Sequence, residues 1–143
     1  MKKLFVAAAV LMCTALAACG ASSNAGGAAD PIIGKWQLTS VEAAEEGKEA
    51  EVLDKEGHQS FYSAADGFFT FEADGKGTHT IQDGGDSFDR SASWTKSGDT
   101  YTVKEDDGLE TVFTFDSSAD TLTNVLKDMA PYAEIRFIYT RIR

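Results

Sequence analysis

From Gly67 to the end of the chain, short runs of alternating apolar and polar residues are separated by clusters of Asp, Gly and Ser. Alternation with period two marks a strand that buries one face, and Asp-Gly, Gly-Gly and Ser-Gly supply the positive φ values that tight hairpin loops demand. The pattern predicts strands over residues 68–72, 78–82, 88–95, 101–104, 110–115, 122–126 and 134–142. An eighth precedes them at 33–41, with Trp36 and Leu38 on one face and Lys35, Gln37 and Thr39 on the other. Successive hairpins make an all-β, eight-stranded antiparallel up-and-down meander. Pairing the last strand with the first closes it into a barrel and removes both exposed edges.

The same alternation gives a set of inward positions. Phe88, Arg90, Ala92 and Trp94 share a face, as do Tyr101 with Val103, and Leu109 with Phe113 and Phe115. Leu122, Asn124 and Leu126 follow, then Ile135, Phe137, Tyr139 and Arg141, with Trp36, Leu38, Phe69 and Phe71 from the first strands. The strand from Thr78 is ambiguous, since a slip of one residue exchanges its threonines for His79 and Ile81. Residues 42–66 break the rhythm. Glu42, Glu45, Glu46, Glu49, Glu51, Asp54 and Glu56 stand there among alanines, a composition that favours helix or loop. This stretch is expected to be a long connection with a short helix around Glu49 to Lys55, anchored by Val52, Leu53, Phe61 and Tyr62.

The N-terminus changes where the barrel is expected to reside. Lys2 and Lys3 precede an apolar run from Leu4 to Ala15, too short for the roughly 20 residues that span a bilayer. The run leads into Leu16-Ala17-Ala18-Cys19-Gly20, which resembles the lipobox of bacterial lipoproteins. That resemblance implies a signal peptide over 1–18, cleavage before Cys19 and acylation of its thiol, hence a membrane anchor in the bacterial cell envelope. Residue 20 is Gly rather than Asp, so the cue for inner-membrane retention is missing. Residues 19–30 are small and lack large apolar groups, a flexible tether with a reach of about 18 Å, and residues 31–143 are left for one folded domain. Both cysteines of the chain, Cys13 and Cys19, precede it, which excludes disulfides and thiolate metal sites from the fold. With 13 Lys and Arg against 23 Asp and Glu, the chain lacks the basic footprint that nucleic acid requires.

Two ends of the chain agree on a family. Gly34-Lys35-Trp36 resembles the Gly-x-Trp signature of the lipocalin and calycin barrels, and Arg141 matches the arginine that packs over that tryptophan. Phe71-Glu72-Ala73-Asp74-Gly75-Lys76-Gly77 and Trp94-Thr95-Lys96-Ser97-Gly98-Asp99-Thr100-Tyr101 are similar to the small lipocalin-like domains of bacterial lipoproteins. The resemblance implies a lipocalin-like barrel, closed at one end by Gly34, Trp36 and Arg141, that binds a small apolar or amphipathic molecule.

Catalytic chemistry is sparse. His58 and His79 are too few and too far apart to suggest a metal site or an acid–base pair. Asp83, Asp86 and Asp89 read as turn chemistry, and Glu105-Asp106-Asp107 as a solvated face. No cofactor and no enzymatic activity are expected. The polar groups predicted to face inward, Arg90, Asn124, Tyr101 and Tyr139, together with Trp94 and Phe113, suit a ligand with an acidic or hydroxyl head. A buried guanidinium needs a partner; for Arg90 it would be a ligand acid, ordered water or an acidic group of the 42–66 connection. The alternative is a barrel filled by its own side chains, serving as a non-enzymatic module that contacts an envelope protein or polymer.

Overall fold

A computed structural model describes residues 29–64, 67–83 and 85–143. Cys19, the signal segment and all but the end of the tether lie outside the described residues. The elements are β1 (Gly34–Ala44), β2 (Glu51–Val52), α1 (Gln59–Ala64), β3 (Gly67–Phe71), β4 (Lys76–Asp83), β5 (Asp86–Ser97), β6 (Thr100–Glu105), β7 (Glu110–Asp116), β8 (Thr121–Met129) and β9 (Tyr132–Ile142). Strands β3 to β9 pair antiparallel in chain order, and β1 pairs with both β3 and β9, closing an eight-stranded up-and-down barrel. The ninth strand, β2, is a two-residue addition to the far end of β1.

Strand β1 runs past its predicted end, through Glu42, Ala43 and Ala44. A register shift between Leu38 and Ser40 explains this. The extra residue exchanges the strand's faces, so the buried set passes from Trp36 to Val41 and Ala43. The expected helix around Glu49 to Lys55 is absent; that stretch holds β2, and the helix forms at Gln59–Ala64. Leu53, 2% exposed, and the Tyr62 hydroxyl, which donates to the Leu53 carbonyl at 2.8 Å and accepts from the Val41 N–H at 3.3 Å, tie the connection to β1. Helix propensity lost here to apolar anchoring.

The barrel has a filled end and a looser one. At the filled end Trp36, Phe71, Tyr101, Phe113 and Leu122 are fully or almost fully buried, and Ile32, from the segment before β1, is buried with them. The Trp36 indole N–H donates to the Ile32 carbonyl at 2.7 Å. At the other end Val41, Ala43, Leu53 and Ile135 are buried, but three side chains expected inside lose their cover: Phe88, Leu109 and Leu126 are 46%, 52% and 39% exposed.

Candidate functional site

Strands β7 and β8 are not parallel in their commitment to the sheet. Their ladder runs from Asp116 and Thr121 to Phe113 and Asn124, and among the described residues it goes no further. At its last rung the Asn124 side-chain amide donates to the Val112 carbonyl at 2.9 Å, standing where a backbone donor would have continued the pairing. Beyond that point Glu110 to Val112 remain with β6, while Val125 to Met129 stay with β9.

A cavity of about 240 Å³ lies where the strands part. Leu109, Glu110 and Thr111 form one side, and Asn124 and Leu126 the other. Phe69, Phe137 and Tyr139 make its apolar wall, and His79 and Glu105 its polar one. The Tyr139 hydroxyl is held well above its ordinary pKa, first by burial and then by the charge of Glu105, so it stays protonated.

The polar wall is built across three strands. His79 on β4 is opposite Arg90 on β5, and Glu105 ends β6. The register thereby settles the ambiguous strand, with His79 inward and 7% exposed. Its ring stacks on Phe69 with centroids 4.0 Å apart, and Nδ1 lies 2.9 Å from Glu105 Oε1. The other oxygen of Glu105 accepts from Arg90 Nη1 at 3.4 Å, and the same nitrogen donates to Asp107 at 2.6 Å. Among the described residues His79 Nε2 has no hydrogen-bond partner, although it is buried.

Two sequence expectations are corrected here. Glu105 does not belong to a solvated face; it is 3% exposed. Period two from Tyr101 and Val103 already led to it, but the acidic run Glu105-Asp106-Asp107 masked the signal. Arg90 pairs with this glutamate and with Asp107 rather than with an acidic group of the 42–66 connection, and its guanidinium is a third exposed at the back of the site. Of the residues expected to bind a ligand, only Asn124 and Tyr139 line the cavity. Phe113, Tyr101 and Trp94 belong to the filled end, where Phe113 packs against Phe69, Phe71 and Tyr139 and Trp94 against Phe71 and Tyr101. His79 and Glu105 are lining groups that the sequence reading had set aside, and Glu110 is one that it did not single out.

The filled end carries its own polar cluster. Asp30 accepts from the Tyr101 hydroxyl at 2.6 Å, from Lys96 at 2.9 Å and from the Ile32 N–H at 3.1 Å. Burial alone would raise its pKa, but these donors together hold it below the ordinary carboxylate value. The Arg141 guanidinium lies over Trp36, 4.2 Å from the ring centroid, and meets Asp120 at 3.1 Å.

A barrel closed by its first and last strands, with an arginine over the tryptophan of Gly-x-Trp, agrees with the family comparison. The model of the lipocalin-like domain matches residues 32–124. The chain belongs to the lipocalin-like family. Among solved structures, this lipocalin-like chain is similar to a lipocalin-like protein from Bacteroides uniformis ATCC 8492, at 13% identity and a TM-score of 0.48, covering 79% of this chain and 100% of that one. It is also similar to an uncharacterized protein from Bacteroides eggerthii DSM 20697, at 11% identity and a TM-score of 0.47, covering 77% and 98%. No curated protein matches the chain.

Proposed function

We propose that this lipocalin-like protein is a binding protein of the bacterial cell envelope, lipid-anchored through Cys19, that holds a small amphipathic molecule in the cavity between β7 and β8 and performs no catalysis on it. The observation that carries this reading is the pairing of an apolar wall with a buried polar atom, His79 Nε2, that has no hydrogen-bond partner among the described residues. Burying a polar atom without a partner is costly, and such atoms are rare in folded proteins. A bound head group would satisfy it. At about 240 Å³ the cavity falls short of the roughly 300–1,000 Å³ of drug-sized pockets, so the ligand is small.

Chains of eight carbons test the reading. Titrating 1-octanol, octylamine or octanoate into the full chain in lipid nanodiscs, with empty discs subtracted, should shift the methyl resonances of Leu109 and Leu126. Thr111→Phe, which places a ring in the cavity, should abolish the shifts while the far-ultraviolet spectrum stays β-rich. Absence of binding for all three chains would favour the alternative, a filled barrel whose acidic surface contacts an envelope protein or polymer.

A further inference from the structure

The polar wall of the cavity has a direction. Glu105, a carboxylate that also meets the Arg90 guanidinium, can only accept hydrogen bonds. Nδ1 is therefore the donor to Glu105, and in the neutral ring of that tautomer Nε2 is a lone pair without a partner among the described residues. Stacking on Phe69 and contact with Glu105 fix the ring in that orientation. The rest of the polar lining points the same way. Glu105 and Glu110 bring two carboxylates to the cavity, and among the described residues neither Lys nor Arg lines it. Arg90, the cation that meets Glu105, is also engaged by Asp107.

We infer that the site selects its ligand by the head group, taking an alkyl chain that ends in an uncharged or cationic hydrogen-bond donor, a hydroxyl or an ammonium, and rejecting the corresponding carboxylate. The donor meets His79 Nε2, and the chain lies against Phe69, Phe137 and Leu126. A fatty acid would bring a third negative charge beside Glu105 and Glu110 and would present an acceptor to an acceptor. This inference rests on the binding function proposed above.

The octyl series separates the two. With 15N-labelled histidine the full chain has two imidazoles, His58 and His79, and the His79 signals are assigned by their loss in His79→Phe. Octylamine and 1-octanol should move the His79 Nε2 resonance, and octanoate should bind about tenfold more weakly than either, the factor that about 1.4 kcal/mol of repulsion produces. Glu110→Gln, a change at an exposed rim residue, should narrow the gap between octylamine and octanoate. His79→Phe, which keeps the aromatic stack, should weaken the amine and the alcohol without weakening the acid. Equal affinities across the series, tightest binding of octanoate, or binding that leaves Nε2 unmoved would overturn head-group selection while leaving a binding cavity in place. If none of the three chains binds, the cavity itself is refuted as a ligand site, and the inference with it.

Discussion

Arg141 shows how much one side chain can close. Its guanidinium covers Trp36, pairs with Asp120, and donates to the carbonyls of Ile33, at 2.7 Å, and of Pro31. A cation over an indole contributes about 0.5–2 kcal/mol, and here the same group also ties the incoming chain to the barrel. Gly34 belongs to this arrangement for a steric reason. Its φ is +135°, and a Cβ there would come within 2.7 Å of Arg141 Nη1. We expect Gly34→Ala to cost about 1–3 kcal/mol, as a strained backbone position does, and Trp36→Ala about 3–5 kcal/mol as a buried aromatic truncation. In a double-mutant cycle by urea denaturation, Trp36→Ala and Arg141→Ala should couple by more than 0.5 kcal/mol, as touching groups do. Strict additivity would show that the contact contributes no stability. Alternation alone made Trp36 and Arg141 legible as residues. The roles of His79 and Glu105 were not, because each depends on which residue of a neighbouring strand stands beside it.

At the scale of elements, the segment before β1 behaves as a plug fastened by charge. Ile32 is buried beneath Trp36, and Asp30 is gripped by Tyr101 and Lys96. Asp30 has a folded pKa below its ordinary 3.8. Its contribution to stability is therefore complete above that value and disappears as pH falls through the lower folded one. Amide exchange at Ile32 and Ile33 should accelerate, relative to the barrel strands, when the pH is taken below about 4, and Asp30→Asn should show the faster exchange already at neutral pH. An unchanged pH profile in the variant would assign the plug's stability to Ile32 alone. Strands and turns were read correctly from alternation and from Asp-Gly and Ser-Gly pairs because both signals are local. In the 42–66 connection the short helix and the anchors Leu53 and Tyr62 were legible, but the helix's position was not, because it is imposed from outside: Leu53 and Tyr62 find their partners on β1, and helix propensity is a weak preference beside such burial.

For the whole molecule, the segment from Asp30 to Ile33 enters at the filled end, while the cavity lies toward the opposite end of the barrel. If Cys19 carries the lipid, the Trp36 end is tethered to the membrane and the cavity can face away from it. Metabolic labelling with a fatty-acid analogue should mark the wild-type chain and fail on Cys19→Ala. A mutant that kept the label would end the anchoring proposal. What the amino-acid order determined by itself is the all-β meander and its closure into a barrel, since period-two burial and turn chemistry are written within a few residues; the arginine over the tryptophan was implied by the resemblance of Gly34-Lys35-Trp36 and Arg141 to the lipocalin signature. Tertiary structure alone decided where the barrel is hollow. The β1 bulge, the parting of β7 from β8 beyond Asn124, and the meeting of His79, Arg90 and Glu105 from three strands all depend on register, and register is set by how the closed sheet packs rather than by any one strand.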